Sequence, residues 1–200
     1  MYQTAIISDV HDWHTEKIEF FLKKNECNVT RLKFSDIELN FSENKNFFFN
    51  KNIQKLDAVW VRFLNGQSLE EITTKLTYLH LLNELNIYVH NSALTIEKTV
   101  DKVRTSGLLK INKILSPDTH IWIGEKKKKI IKKDSLLKPI FGSQGKGIIL
   151  VKKNTNLSEM KSSGNVFYLQ NFVGEIKDQK FSDLRVLVSN HKVIASMERE

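Results

Sequence analysis

A glycine-rich loop follows a short apolar segment that ends in a lysine. The segment reads Leu137-Lys138-Pro139, and Gly142, Gly145 and Gly147 follow it. Glycines allow backbone N–H groups to approach a phosphate chain closely and to form a concavity that binds anions. A lysine at the end of a strand adds a point charge for the same phosphates. The pattern indicates a nucleotide-phosphate site, and the alternative is an ordinary β-hairpin.

Two common phosphate-binding loops do not fit this segment. Gly142 and Gly147 have the spacing of the P-loop glycines, but Ile148 stands where that motif requires lysine. A strand is predicted after the loop, whereas the P-loop and the dinucleotide-binding loop both lead into a helix. The loop is therefore neither a P-loop nor a dinucleotide-binding loop, and an ordinary hairpin stays the alternative to a phosphate site.

Three further segments carry groups that suit a nucleotide. Asp101-Lys102 opens a predicted helix, and Lys102 can provide a second phosphate contact. The apolar segment 167–173 ends in polar residues, so its edge can present backbone N–H and C=O groups to an adenine ring. Asp183 and Arg185 share one face of a predicted strand. A carboxylate suits a ribose hydroxyl and an arginine suits a phosphate or an acyl phosphate, with a cross-strand ion pair as the alternative.

The first half of the chain alternates strand and helix patterns. Asp12 and Ser68 are candidate N-caps of two amphipathic helices, and 41–52 has no clear period and is predicted to be a loop. The predicted strands are Thr4–Ser8, Asn28–Leu32, Asp57–Phe63 and Ile87–His90. A series of this kind favours a parallel sheet with crossover helices.

The second half begins with two predicted helices, 96–100 and 103–114, and then becomes rich in strands. The predicted strands are 119–123, 136–140, 147–151, 166–172, 185–189 and 193–197, and Asn190-His191 is a candidate two-residue hairpin turn between the last two. This half is expected to be antiparallel. The sequence thus predicts an α/β domain over residues 1–95 and an α+β domain over residues 96–200.

The positive charge is concentrated in the second half. The 200 residues carry a formal net charge of +8; residues 1–100 contain 11 Lys/Arg and 13 Asp/Glu, and residues 101–200 contain 20 and 10. A basic half suggests an anionic partner, namely a nucleotide, a nucleic acid or a membrane surface, with solvated lysines as the alternative. The run 125–133 is rich in lysine but lacks the aromatic and arginine residues that nucleic-acid binding proteins use, which favours a solvated loop.

The composition also bears on the compartment and on metals. One cysteine excludes a disulfide framework, no apolar run approaches the ~20 residues of a membrane span, and the N-terminus lacks a basic segment typical of a signal peptide. A cytoplasmic protein with no membrane partner is predicted. His11 and His14 have a spacing that suits a metal pair, but helix capping by Asp12 beside surface histidines is favoured.

The order and spacing of these motifs resemble the ATP-grasp ligases, specifically the RimK-like branch that adds glutamate to an acceptor carboxylate. The resemblance extends over nearly the whole chain. The motifs that carry it are Asp57–Arg62, Ser68–Ile72, Val89–Ser92, Asp101-Lys102, Leu137–Pro139, Phe141–Gly147 and Asp183–Val186.

The resemblance implies a role for each site residue. Lys102 and Lys138 are similar to the two ATP-contacting lysines, and the loop with Gly142, Ser143, Gln144, Gly145 and Gly147 resembles the lid over the β- and γ-phosphates. Gln170, Asn171 and Phe172 resemble the adenine hinge, Asp183 the ribose contact, and Arg185 and Arg199 the catalytic arginines near the transferred phosphoryl group. Asn171 departs from the acidic residue of the family hinge, but a backbone contact to adenine survives that change.

The resemblance also implies a reaction and its partners. ATP phosphorylates a carboxylate on a small molecule or peptide, and an amine, expected to be that of glutamate, attacks the acyl phosphate. Arginines and Mg²⁺ stabilise the charge that develops on the phosphoryl oxygens. The family's metal ligands, an acidic residue and a Glu-x-Asn motif, are expected beyond Glu200, so the implied metal has no ligands within these 200 residues.

The expected architecture is therefore an α/β parallel-sheet domain followed by an α+β, antiparallel ATP-grasp domain that is truncated at its C-terminus. The chain is expected to be a fragment, a truncated gene product or one part of a split enzyme. A non-catalytic basic module that binds a nucleotide or nucleic acid is the alternative function. Association into an oligomer is a further expectation, since an exposed sheet edge after residue 197 would favour it.

Overall fold

A computed structural model describes residues 1–41, 47–50, 53–65, 68–124, 130–142, 145–160, 162–174 and 182–199. The chain divides into two units, Met1–Val100 and Asp101–Glu200. The boundary that the sequence places between residues 95 and 96 stays a prediction.

The first unit contains strands and helices that alternate along most of its length. In chain order they are β1 (Tyr2–Ser8), α1 (Trp13–Lys24), β2 (Cys27–Leu32), β3 (Leu39–Phe41), β4 (Phe47–Phe49), β5 (Ala58–Phe63), α2 (Leu69–Glu84), β6 (Tyr88–His90) and α3 (Ala93–Val100). Four strands form a parallel sheet in the order β2-β1-β5-β6. The predicted parallel sheet with crossover helices is confirmed.

Both predicted caps form, and the leucines of α2 supply the core. Asp12 accepts a hydrogen bond from the Thr15 N–H at 2.9 Å, and the Ser68 hydroxyl accepts one from the Glu71 N–H at 3.1 Å. Each cap satisfies a backbone donor that the first turn of a helix leaves unpaired. Leu79 and Leu82 of α2 are fully buried in the core with Ala5 and Ile7 of β1 and Val59 of β5.

The prediction of a loop over residues 41–52 is wrong in its described part. β3 and β4 pair antiparallel, with Leu39 opposite Phe49, and a short 3-10 helix follows at Ile53–Lys55. Phe49 is 1% exposed and packs edge-to-face on Tyr78 of α2, with ring centroids 5.8 Å apart. This hairpin is stabilised by contact with α2, which begins twenty residues further along the chain. A contact between such distant residues leaves no periodic pattern in the local sequence.

The second unit contains the antiparallel strands. Its elements are α4 (Lys102–Ile111), β7 (Thr119–Ile123), β8 (Ser135–Lys138), β9 (Ile149–Val151), β10 (Val166–Asn171), β11 (Asp183–Ser189) and β12 (Lys192–Arg199). Four of the strands form a sheet in the order β7-β10-β8-β9, and β11 and β12 form a separate hairpin. The predicted antiparallel arrangement is confirmed.

One face of the four-stranded sheet is buried. Trp122 of β7 and Phe167 of β10 stack with ring centroids 4.7 Å apart, and Leu137 of β8 packs in the same cluster. The β11–β12 hairpin turns at Asn190 and His191, which have φ of 46° and 61°. Positive φ at both positions is what a tight two-residue hairpin turn requires, as predicted. In the part of the chain that the structure describes, no helix is long and apolar enough to cross a membrane.

Candidate functional site

Lys138 lies at the end of β8, on one face of the four-stranded sheet. It pairs in register with Tyr168 of β10, and Gln170 lies two residues further along β10 on the same face. The Lys138 Nζ donates a hydrogen bond to the Gln170 Oε1 at 2.6 Å. A neutral amide oxygen satisfies one donor of the ammonium group and leaves its charge uncompensated.

Lys102 brings a second ammonium group to the start of the glycine-rich loop. Asp101 caps α4 by accepting from the Val103 N–H at 2.8 Å, which places Lys102 in the first turn. The Lys102 Nζ donates to the carbonyl oxygens of Ile140 and Gly142, each at 3.1 Å. α4 and the loop after β8 thus meet at a cation that has only neutral partners among the described residues.

The electrostatics of the two lysines point to an anionic ligand. Burial lowers the pKa of Lys102, and burial together with the nearby charge of Lys102 lowers the pKa of Lys138. Both shifts mean that the folded chain disfavours the charged forms. A phosphate would reverse this cost by pairing with both ammonium groups.

The described glycines of the loop adopt backbone conformations that few other residues tolerate. Gly142, Gly145 and Gly147 have φ of 148°, 71° and 74°, and a Cβ at Gly147 would lie 3.4 Å from the Pro139 Cγ. The positive φ values therefore favour glycine at all three positions, whereas a Cβ would meet only ordinary van der Waals contacts or open space. Ser143 and Gln144, which the sequence places in the same lid, lie outside the described residues.

The predicted hinge shows which of its backbone donors are engaged. The N–H of Asn171 donates to the Asp118 carbonyl at 2.8 Å, and the N–H of Phe172 donates to the Asp134 carbonyl at 2.9 Å. The N–H of Val173 forms no hydrogen bond with another described residue, and its side chain is exposed. Val173 is therefore a candidate hinge residue whose N–H is not hydrogen-bonded to another described residue. Sequence reasoning missed it, because only the tertiary contacts show which N–H groups already have a partner.

A network of hydroxyl groups holds Gln170 against Lys138. The Gln170 Nε2 donates to the Thr119 Oγ1 at 3.0 Å and to the Tyr168 OH at 3.1 Å, and the Tyr168 OH lies 2.6 Å from the Ser106 Oγ of α4. The network ties three strands to α4 beside the two lysines. Alternation along β10 places Tyr168 and Gln170 on one face, so the sequence pattern could have indicated Tyr168.

The predicted ribose and phosphoryl contacts lie together on the β11–β12 hairpin. Asp183 pairs in register with Arg199, accepts from the Arg199 Nε at 2.6 Å and also contacts its Nη2. The hydrogen bond from Arg199 is the largest cause that lowers the pKa of Asp183. Arg185 lies on the same strand two residues on, opposite Met197. No hydrogen bond or ion pair within the described residues joins this hairpin to the lysine cluster.

The structure shows a second charged cluster that sequence reasoning missed, in the first unit. The Lys75 Nζ lies 2.9 Å from the Asp9 Oδ2 and 2.7 Å from the Glu71 Oε1. The Arg62 Nη2 lies 3.1 Å from the Asp12 Oδ2. Asp9, Asp12 and Arg62 lie at or just beyond the carboxyl ends of β1 and β5, where the connections of a doubly wound sheet diverge and ligands commonly bind.

Helix capping at Asp12 is confirmed. The Thr15 N–H is the largest cause that lowers the pKa of Asp12 to about 2, and His14 Nδ1 lies 3.2 Å from its Oδ2. No group of three or more His, Cys, Asp or Glu side chains in the described ranges could hold a metal ion.

Comparisons with known proteins point in one direction. Residues 99–200 match the RimK-like ATP-grasp domain. The tetrahydromethanopterin:alpha-L-glutamate ligase of Methanococcus maripaludis is 31% identical over an alignment that covers 98% of this chain and 69% of the relative. The ligase of the same name from Methanocaldococcus jannaschii is 32% identical, over 76% of this chain and about half, 54%, of the relative.

Solved structures agree on the fold. A RimK domain ATP-grasp protein from Sphaerobacter thermophilus superposes with a TM-score of 0.67 at 16% identity, over 97% of this chain and 71% of that protein. The ATP-grasp ligase PsnB, solved with its minimal precursor, Mg and ADP, gives a TM-score of 0.61 at 15% identity, over 96% of this chain and 71% of that protein. The sequence similarity and the shared fold together show that the chain belongs to the RimK-like ATP-grasp family, which includes glutamate ligases.

Proposed function

We propose that this chain carries the nucleotide-binding part of an ATP-dependent carboxylate–amine ligase. The observation that supports the proposal most strongly is the meeting of Lys102 and Lys138 at the glycine-rich loop, with neutral partners only among the described residues. A triphosphate supplies the negative charge that this cluster lacks. The relatives that bear the name of an α-L-glutamate ligase support the reaction class.

The nucleotide spans several of the described elements. Lys102 and Lys138 bind its phosphates, and the lid with Gly142, Gly145 and Gly147, which in sequence includes Ser143 and Gln144, covers the β- and γ-phosphates. The adenine lies against the hinge of Gln170, Asn171 and Phe172, where the Val173 N–H donates to a ring nitrogen. This assignment extends the predicted hinge by one residue.

The β11–β12 hairpin supplies the polar groups of the ribose and of the transfer step. Asp183 accepts from a ribose hydroxyl, and Arg185 and Arg199 stabilise charge on the transferred phosphoryl group. Arg199 is already paired with Asp183, so both roles require that this pair opens or shares its donors. Arg185 forms no ion pair with a described residue. As a catalytic arginine it therefore contacts the phosphoryl group without first leaving a described partner.

The reaction proceeds in two balanced steps. A carboxylate oxygen of the acceptor attacks the γ-phosphorus of ATP, the bond to the β-phosphate oxygen breaks, and ADP leaves with an acyl phosphate formed. The amine of the second substrate attacks the acyl carbon, inorganic phosphate leaves and an amide forms, with the loss of a proton. Magnesium, which the family implies, would when bound neutralise negative charge on the phosphates.

The substrates are a carboxylate acceptor, either a small molecule or a peptide, and an amino acid, which we propose to be glutamate. The name of the relatives, tetrahydromethanopterin:alpha-L-glutamate ligase, supports glutamate and a small-molecule acceptor. The PsnB complex with a minimal precursor supports a peptide acceptor. The use of ATP, together with a single cysteine, favours a cytoplasmic enzyme.

Binding of ATP by the 200-residue chain tests the proposal. Titrating ATP into the wild type should raise its melting temperature in a saturable way, since a ligand that binds only the folded state stabilises it. Lys138→Met should abolish the shift, whereas Lys110→Met, a matched change of an exposed lysine on α4, should retain it. A wild type that ATP does not stabilise, or a Lys138→Met variant that behaves like the control, would rule the site out.

A second candidate function rests on the charge distribution. Residues 101–200 carry twice as many basic as acidic residues, which would also suit a non-catalytic module that binds nucleic acid. The lysine-rich segment 125–129 lies outside the described residues. Binding of a labelled oligonucleotide that weakens steeply between 50 and 200 mM salt, on the scale of about tenfold or more, would favour this candidate over the ligase.

A further inference from the structure

A cavity of about 290 Å³ lies in the second unit, on the sheet face that Lys138 does not share. Leu169 and Asn171 line it, and they alternate along β10 with Tyr168 and Gln170, so their side chains point to the opposite face. The segment 130–133 forms its outer wall. The cavity is thus separate from the proposed nucleotide site, although both use β10.

The walls of the cavity are held in place by hydrogen bonds. The Ile131 N–H donates to the Thr155 carbonyl at 3.1 Å, and the Asn154 N–H donates to the Ile131 carbonyl at 2.8 Å. The buried hydroxyl of Ser135 donates to the Lys133 carbonyl at 2.9 Å. These hydrogen bonds join the segment 130–133 to residues 135, 154 and 155. The cavity is therefore already formed in the chain without a ligand.

The charges around the cavity have both signs and are not paired with each other. Lys132 and Lys133 line the outer wall, and Asp118 lines the sheet side. None of the three forms an ion pair with another described residue, and the Asp118 carboxylate accepts only a long hydrogen bond of 3.4 Å from Asn171. Leu157 and Leu169 provide an apolar wall between them.

Size and charge together define the ligand. A volume of about 290 Å³ is at the lower limit of ligand pockets, which is too small for a nucleotide and adequate for an amino acid. Two lysines suit a carboxylate, one aspartate suits an ammonium group, and leucine side chains suit an aliphatic side chain. We propose that this cavity binds an apolar α-amino acid in its zwitterionic form.

The cavity is coupled to the proposed adenine hinge, which gives the ligand a role as an effector; this role rests on the proposed function. Asn171 lines the cavity, and the next residue, Phe172, donates its N–H to the carbonyl of Asp134 beside the outer segment. We therefore expect an amino acid bound against Asn171 to change the affinity for ATP. By linkage, ATP changes the affinity for the amino acid by the same factor.

Calorimetric titration of the purified chain with L-leucine tests the binding site. Leucine should bind saturably, whereas leucinamide, which lacks the carboxylate, and 4-methylpentanoate, which lacks the ammonium group, should bind about tenfold or more weakly. Equal binding of all three compounds, or no saturable binding of leucine, would overturn the proposal. L-Glutamate serves as the competitor, and a preference for glutamate that Lys138→Met abolishes would assign the signal to the ligase substrate site instead.

Variants locate the site. The double change Lys132→Gln and Lys133→Gln should remove leucine binding, Asp118→Asn should weaken it about tenfold, and Lys138→Met should leave it intact. Leucine binding that persists unchanged in the double variant would place the ligand elsewhere and refute the assignment.

The effector role has a separate readout. The ATP affinity with and without saturating leucine should differ by a factor that equals the effect of saturating ATP on leucine, and a factor of one would refute the coupling. A chain that binds leucine but not ATP would refute the proposed function and leave the amino-acid site standing.

Discussion

Both units contain lysine side chains in partly buried positions, but the partners of these lysines and the directions of their pKa shifts differ between the units. Lys75 in the first unit is largely buried beside two carboxylates, Asp9 and Glu71. Burial alone would lower its pKa, but the hydrogen bonds that its ammonium group donates to both carboxylates outweigh burial and raise the pKa. Lys102 and Lys138 in the second unit have lowered pKa values and only neutral described partners.

The difference distinguishes a cation whose charge the chain itself balances from the two cations that we propose bind a phosphate. A buried ion pair whose partners are all supplied by the chain is complete before any ligand arrives. Two partly buried ammonium groups that contact only amide and carbonyl oxygens among the described residues have no balancing negative charge from that part of the chain. The comparison teaches that the partner of a buried charge, more than its burial, indicates where an anion binds.

The largest expected effect is on the stability of the first unit. Lys75→Met removes the cation between Asp9 and Glu71 and leaves the Asp9 carboxylate partly buried without its partner. We expect a loss of about 2 to 3 kcal/mol in the free energy of unfolding, measured by urea denaturation. Lys23→Met, which removes an exposed lysine from Glu19 and leaves that carboxylate paired with Arg31, is the control and should change stability by less than about 1 kcal/mol. A Lys75→Met variant as stable as that control would break the comparison.

The second expected effect is on ligand affinity. Lys102→Met should weaken ATP binding by about tenfold or more, because one charge-assisted contact is lost, while the stability of the ligand-free chain is retained. Calorimetric titration and urea denaturation of the same preparation give the two quantities. If the ligand-free variant is as destabilised as Lys75→Met, then Lys102 is a structural cation too.

The third expected effect is a difference in pH dependence. The folded chain has a lowered pKa for Lys138, so in the window from that pKa up to 10.5 the unfolded chain binds more protons, and this lysine makes stability rise with pH. Lys75 has a raised pKa, so from 10.5 up to that pKa it makes stability fall with pH.

Replacing each lysine with methionine should therefore change the alkaline slope in opposite directions. Denaturation from pH 8 to 11, taken as the difference from the wild type, measures both slopes. Differences of the same sign for Lys138→Met and Lys75→Met would show that the two environments do not differ as described.

The smallest expected effect on stability concerns the exposed pair of Asp183 and Arg199. Asp183→Asn should leave the melting temperature of the ligand-free chain unchanged, because a fully exposed ion pair contributes little. It should weaken ATP binding several-fold if Asp183 contacts the ribose. An unchanged ATP affinity in Asp183→Asn would remove the hairpin from the proposed nucleotide site.

Much of the fold was predictable because local patterns and global contacts agree. Burial is directly visible in the apolar runs of β1 and β5 and in the leucine spacing of α2. The alternation of such strands and helices predicted the parallel sheet. The hairpin of β3 and β4 was missed because its stability comes from Phe49 packing on Tyr78, and a contact between distant residues leaves no period in the sequence.

The candidate site likewise has some features that the sequence predicts and others that only the tertiary structure shows. The sequence by itself predicts a phosphate site at Lys102, Lys138 and the glycines, because residue type and spacing carry that chemistry. Only the tertiary structure shows that Gln170 contacts Lys138, that Asp183 pairs with Arg199, and that the Val173 N–H forms no hydrogen bond with another described residue. Hydrogen-bond partners depend on strand register and on side-chain direction, and both are set by packing between residues far apart in the chain.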